Sequence, residues 1–427
     1  MRALTAWTVA ALGAWVAAQQ SGRRCTLEIV TAPGTRSHYT QVAPGVAKLD
    51  VGGGLEATCG DAWMRADSAS YHQGTEVLWL IGRVDYRDST RTLQADRVTY
   101  DSKEERMVAE GSVRLTARAT GSTLTGPVVH YRPATERRPY DRIFAPRRSQ
   151  LAIYPEREAE DRRPMNVEGD RIYILGDSVI AAAGTATAKR PDFDAAADSM
   201  HLDLPLEVIW LLGSPRVVAE ATTLEGDTLR GELRERQIER VEAWPNGRAR
   251  SEDYALRADS LDTRMPGQQV RQVIAVGSAF AEAFTELAAR DPATPIDWVS
   301  GDTIVAIFEP KAAATAAADG RNGPAAEAVE LKTLVATGDA RAFYHVRDRS
   351  RPDRPPSVNY VLGRRVTVQL VGGEVQDAKV DGPSVGVYLE PRETPPDTTA
   401  ADTTAPPRPG ATPRRPGGAG PSPKARG

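Results

Sequence analysis

The chain has 427 residues, with 54 Lys or Arg against 57 Asp or Glu and a formal net charge of -3 at pH 7. That balance argues against a general nucleic-acid binder, because neutralising phosphates needs a concentrated basic face. Hydrophobic residues make up 41% of the chain and aromatics only 6%, so Val, Leu, Ala and Ile must supply the buried surface, a mixture that suits thin repetitive sheets.

Met1-Arg2, a mostly apolar run from Ala3 to Trp15 and Val16-Ala17-Ala18 have the basic, hydrophobic and small-residue layout of a secretory signal, with cleavage expected near Ala18. No later stretch approaches roughly 20 apolar residues, the length of a membrane-spanning helix. An exported mature chain in an oxidising compartment, the periplasm, is therefore expected. There a Cys25–Cys59 disulfide is favoured over two free thiols, these being the chain's two cysteines. Gly22-Arg23-Arg24 before Cys25 is not a lipoprotein context.

A degenerate repeat then organises residues 19–132, 164–310 and 329–390. A small residue plus Asp, followed by apolar residues at alternate positions, occurs at Ala66-Asp67, Ala95-Asp96, Gly169-Asp170, Ala197-Asp198, Gly226-Asp227, Ala258-Asp259 and Gly301-Asp302. Gly126-Pro127 carries Pro in the Asp slot. The units are answered by an apolar-x-Gly element, as at Leu80-x-Gly82, Ala109-x-Gly111, Ala182-x-Gly184, Ala275-x-Gly277 and Ala336-x-Gly338. Period-2 alternation is a strand signal, and the spacing leaves room for two short strands and a tight connection. A lone hairpin is marginal in water, so the units must stack to bury their apolar faces.

Alternation turns Val98, Tyr100, Ile172, Ile174, Met200 and Leu202 inward, with Leu229, Leu261 and Ile304 at the second position of their units and Val113 and Leu115 in an answering strand. These are the candidate lining of an apolar groove. The recurrent Gly is expected to mark a bulge that curves the sheet, giving an all-β, solenoid-like stack of hairpins folded over an apolar inside. The Asp is read as opening each strand by accepting from nearby backbone amides.

Residues 133–163 are rich in Arg, Glu and Pro and read as a long loop or linker with one short strand near Leu151–Tyr154. Arg137-Arg138 and Arg147-Arg148 are expected to be solvated and balanced by Glu156, Glu158, Glu160 and Asp161. Contact with lipid phosphates is the alternative. Residues 311–328 form an Ala/Gly-rich insertion, and residues 391–427, rich in Pro, Thr and Gly, are expected to be disordered.

The Walker loop, HExxH, GxSxG, a strand-linked GxGxxG and paired CxxC are all absent from the sequence. No catalytic residue, metal ligand or cofactor is nominated, and the expectation is a protein that is not an enzyme. His38, His72, His130, His201 and His345 are scattered, with His130 and His201 in slots that face outward. The repeated Asp invites comparison with calcium-binding β-rolls, but their Gly-rich nonapeptide is missing. A carbohydrate-active β-helix remains a minor alternative, since no carboxylate pair stands out among the acidic residues.

The run Leu93-Gln94-Ala95-Asp96-Arg97-Val98-Thr99-Tyr100, the stretch from Met107 to Leu115, that from Leu224 to Gly247, and Trp298-Val299-Ser300-Gly301-Asp302-Thr303-Ile304 resemble the OstA-like, LptA-type family of lipopolysaccharide-transport proteins. The resemblance runs from roughly Val46 to Glu390. It implies a β-jellyroll or β-taco whose apolar groove carries lipopolysaccharide or a related envelope lipid toward the outer membrane, in outer membrane biogenesis. It also implies partners among other OstA-like transport components, joined by strand-edge contacts, and head-to-tail self-association. The array is longer than a single bridge domain of that family. A non-catalytic β-solenoid scaffold filled by its own side chains is the competing expectation.

Overall fold

A computed structural model describes residues 27–391 except 32–33, 156–161, 192, 220–221, 236, 284–295, 311–328, 347–349 and 351–353. The expected signal segment, Cys25, Glu156, Glu158, Glu160, Asp161, the 311–328 insertion and the tail from 392 onward lie outside the described residues.

The alternating segments form strands in chain order. The first eight are β1 (Leu27–Thr31), β2 (Arg36–Ala43), β3 (Val46–Cys59), β4 (Ala62–His72), β5 (Val77–Arg87), β6 (Arg91–Asp101), β7 (Arg106–Ala117) and β8 (Thr123–Arg132). Next come β9 (Arg142–Ala145), β10 (Ser149–Ile153), β11 (Met165–Gly169), β12 (Arg171–Leu175), β13 (Val179–Arg190), β14 (Phe193–Asp203), β15 (Val208–Leu212), β16 (Arg216–Ala219), β17 (Thr222–Glu225), β18 (Thr228–Arg234), β19 (Gln237–Trp244) and β20 (Gly247–Arg250). The last are β21 (Tyr254–Ala258), β22 (Ser260–Arg264), β23 (Gln272–Ala283), β24 (Asp297–Pro310), β25 (Val329–Val346), β26 (Ser357–Val371), β27 (Glu374–Asp381) and β28 (Val385–Leu389).

The 28 strands of the described residues join one antiparallel sheet. Its rungs are longer than the hairpin arms the sequence implies, and each repeat Asp stands in the middle of a rung. β4, for example, starts five residues before Asp67 and continues beyond it. Where two short strands share a neighbour they are the halves of one rung. β9 and β10 both pair with β8, and β11 and β12 both pair with β13.

This corrects the expectation for residues 133–163. The segment supplies two strands, and the ladder passes through it without a break. Pro146-Arg147-Arg148 occupies the interruption between β9 and β10, and Arg148 pairs with Glu168 at 3.2 Å and Asp170 at 3.4 Å. Arg138 reaches Glu105 at 3.5 Å. These basic side chains neutralise acids on neighbouring rungs, which sequence proximity could not reveal.

The interruption repeats on rung after rung. Register slips by one step at Ile81/Val84, Glu110/Val113, Ala183/Ala186, Val276/Ala279 and Thr337/Ala340, each time across the recurrent Gly. The sequence-derived bulge is thus present. Its partner is the Asp: a Cβ on Gly82 would lie 2.6 Å from Asp67 Oδ2, and one on Gly111, Gly184, Gly213, Gly277 or Gly338 would meet Asp96, Asp170, Asp198, Asp259 or Asp302 in the same way. Gly82 and Gly111 have φ of 79° and 99°, where an L side chain is strained. The carboxylate then accepts from the residue after the Gly: Arg83 grips Asp67 bidentately, and the Ser112 amide donates to Asp96 at 3.0 Å. Asp227 faces no such Gly; Asn246, at φ 60°, donates to it at 2.9 Å instead. The Asp is therefore a clamp across rungs: Asp170, Asp227 and Asp259 do stand immediately before a strand, as expected, but Asp67, Asp96, Asp198 and Asp302 lie inside theirs.

Each bulge divides its rung into two limbs. Residues 55–59, 62–66, 84–87 and 91–95 pair with one another in the first limb, and 46–52, 68–72, 77–81 and 97–101 in the second. The limbs fold together. Tyr86 and Tyr131, from opposite limbs, have ring centroids 6.0 Å apart, and Tyr254 and Phe308 4.9 Å apart. Between the limbs lies one hydrophobic cluster running from Val51 to Leu370.

Gly111→Ala is expected to lower stability by about 1–3 kcal/mol, the combined effect of positive φ and contact with Asp96. Gly45→Ala, at φ 73° with nothing within 4 Å of its Cβ, isolates the backbone part. Thermal melts of the two variants should differ, and adding Asp96→Ala should recover part of the Gly111→Ala loss.

Candidate functional site

Val98, Tyr100, Ile172, Ile174, Met200, Leu202, Leu229, Leu261 and Ile304 stand on the second limb, and Val113 and Leu115 on the first. All are in the central cluster and none is more than 7% exposed. The alternation thus places all eleven on the inner faces. Leu115 and Ile174 meet across the seam, lining a cavity of about 50 Å³. A second cavity, of about 10 Å³, lies between Met165, Phe193 and Ile209. Ala is common on both inner faces, including Ala182, Ala186, Ala275 and Ala279.

One side of the seam is covalently closed, because every rung passes through its bulge from limb to limb. The other side is a mouth between limb tips. Near the N-terminal half, polar groups on inward-facing positions bridge it. Arg91 shares the inward parity of Leu93 and Ala95, and Asp141 that of Ile143 and Ala145. Arg91 Nε donates to Asp141 Oδ2 at 2.9 Å, and its terminal nitrogen donates to Asp177 Oδ1 at 2.7 Å and the Gly176 carbonyl at 3.2 Å. The Arg91 and Asp141 side chains are each 7% exposed. Burial disfavours the charged guanidinium, but Asp141 and then Asp177 more than offset it, and Arg91 is held above its ordinary value.

Asp88 completes this clasp from the β5–β6 turn. It accepts from Tyr86 on its own limb and from Tyr131 on the other, both at 2.7 Å, and from the Thr90 and Arg91 amides. Burial raises its pKa, yet the Tyr131 and Tyr86 hydroxyls and then the two amides hold it below the usual carboxylate range. The same burial, reinforced by the Asp88 charge, pushes both phenols up. The signal that could have found Arg91 and Asp141 was their charge at an inward position of an alternating strand.

Further along, His345 is buried, with Nδ1 2.6 Å from Asp297 Oδ1. Of the two histidines expected to face outward, His201 is exposed and His130 half-buried. Burial raises Asp297, only partly countered by its contacts with His345. Cys59 is disulfide-bonded, and Tyr100 lies with its hydroxyl 3.6 Å from Cys59 Sγ, its phenol pushed up to about 12, chiefly by burial. Among the described residues there is no group of three or more His, Cys, Asp or Glu that could hold a metal ion. Nor is any helix there long and apolar enough to cross a membrane.

No family model and no curated protein matches the chain. Among solved structures it is similar to LptH of Pseudomonas aeruginosa, described as the LptA homologous periplasmic component of the conserved lipopolysaccharide transport device. Identity is 16%, the match covers 36% of this chain and 81% of that one, and the TM-score is 0.19. A global superposition is absent at that score, so the architecture stands on the strand register alone.

Removing one partner of the buried pair should be costly. Asp141→Asn is expected to destabilise by about 1–3 kcal/mol by leaving the buried Arg91 with only the exposed Asp177 as counter-charge, whereas Arg91→Met with Asp141→Leu should be close to neutral. Thermal denaturation of both variants checks this. Asp88 contributes to the acid response. Its folded value lies below the ordinary 3.8, so its contribution is complete above that value and is lost as pH falls through the folded one. Asp88→Asn should therefore flatten the fall in melting temperature below about pH 4.

Proposed function

We propose that this protein is a non-catalytic periplasmic carrier that takes the acyl chains of lipopolysaccharide, or of a related envelope lipid, into the seam between its limbs. The observation that carries this reading is the single apolar cluster from Val51 to Leu370, bounded on one side by backbone bulges and on the other by side chains alone. A seam of that construction opens by separating side chains, without breaking the ladder. The resemblance of the repeats to the OstA-like family supports the lipid class. At roughly 0.8 kcal/mol per CH₂, a chain of about twelve carbons gains on the order of 10 kcal/mol gross on burial. That gain is non-directional, so a chain is free to slide along the seam.

The two ends of the ladder suit partner addition. Among the described residues, β1 and β2 pair with β3 alone, and β27 and β28 with β26 alone. Val30 is 64% exposed and Val385 69%. Unpaired strand edges carrying apolar side chains accept a further strand from a transport component or a second copy.

The close packing of the seam favours a second reading, a β-solenoid scaffold whose interior is its own. Photocrosslinking separates the two. A benzophenone residue at Val98, Ile172 or Leu261 is expected to capture lipid from envelope extracts, and one at the outward Thr99 or Tyr173 is not. Absence of lipid adducts at all three inward positions, or equal yields at the outward ones, would establish the scaffold.

A further inference from the structure

We infer that Arg91 is the anion-recognition residue of the seam and the latch of its mouth: an acyl amphiphile with a phosphate or carboxylate head enters there, its head replacing Asp177 on the guanidinium. This rests on the carrier reading and specifies where and how a chain is admitted.

The two carboxylates on Arg91 are unequal. Asp141 is 7% exposed, and its carbonyl accepts from the Gly176 amide at 2.9 Å, so it is fixed in the second limb. Asp177 has a side chain 62% exposed, stands in the turn between β12 and β13, and touches Arg91 through one terminal nitrogen. An incoming anion exchanges with Asp177 while Asp141 stays in place, so the buried guanidinium is never left uncompensated. A phosphate or carboxylate matches its planar fork at least as well as the carboxylate it displaces.

Behind Arg91 the surroundings change from polar to apolar within one side chain. Thr120, Ser122 and Asp177 form the rim of the cavity of about 50 Å³, and Leu115, Leu151 and Ile174 its walls. That volume holds only a small part of an acyl chain, so the limbs must separate for more to enter. The Arg91 contacts are what tie the tip of β6 to the turn carrying Gly176 and Asp177. Exchange at Asp177 therefore loosens the mouth at the moment a head group arrives, coupling recognition to admission. Asp88 and its two tyrosines remain as a second tie, which keeps the neighbouring rungs in register.

The test uses the full chain and isothermal calorimetry with dodecyl phosphate, dodecanol and inorganic phosphate, the amphiphiles below their aggregation limits. The wild-type protein is expected to bind dodecyl phosphate more tightly than dodecanol, with inorganic phosphate much weaker than both. Asp177→Ala removes the competing carboxylate together with its tie across the mouth, and should tighten dodecyl phosphate about tenfold, the scale of one charge-assisted contact, and dodecanol by clearly less. The paired change Arg91→Met with Asp141→Leu should abolish the preference for the phosphate head. If that variant fails to fold, the Asp177→Ala comparison still decides. Equal binding of dodecanol and dodecyl phosphate, with no effect of Asp177→Ala, overturns the latch and leaves the carrier standing. Inorganic phosphate binding as tightly as dodecyl phosphate also overturns it, in favour of a free-anion site. No binding of either amphiphile overturns both the latch and the carrier.

Discussion

The fold depends on one contact repeated along the ladder, an Asp carboxylate set directly over a Gly on the neighbouring rung. The Gly has no Cβ and accepts positive φ, so the backbone there inserts an extra residue and bends. The Asp fills the space a side chain would need, and Asp67 and Asp96 accept a hydrogen bond from the residue after the Gly. Neither residue does this alone. A Gly without its Asp is a weak point in a strand, and an Asp without its Gly needs another partner, as Asp227 finds in Asn246. Together they place every bend at the same height, so successive rungs bend along one line and the sheet closes over itself instead of twisting open.

The interior is a consequence of that line. Because the bends coincide, inner faces on the two limbs meet and share one apolar cluster. Because β-sheets twist, the limbs meet obliquely, and contacts across the seam join strands that are not neighbours in the ladder. Cys59 of β3 lies against Tyr100 of β6, and Tyr86 of β5 against Tyr131 of β8. The same obliquity carries Arg91 of β6 to groups beside β9 and β12. A buried ion pair of this kind contributes little net stability against apolar residues of similar volume. Its physical role is specificity, fixing which tip meets which across the mouth.

The inward faces were legible because alternation is local: Val98, Ile172 and Leu261 stand two residues after their Asp. The Gly bulges were legible for the same reason. The clasp was not, since Arg91 and Asp177 are separated by 86 residues and meet only after many rungs have formed. The role of Asp was half legible; its position was plain, but its partner lies on the next rung. Residues 133–163 were misjudged because charge and proline density outweighed the weaker alternation of Arg142–Ala145.

The sequence by itself determined an all-β ladder, the inner face of its strands and the positions of its bends, because each is set by residues within a few positions of one another. Tertiary structure alone decided that the bends align into a hinge, that the two limbs close into a packed seam, and that Arg91, Asp141 and Asp177 form the bridge across its mouth. Those are properties of distance and twist accumulated over many rungs, which no local pattern encodes.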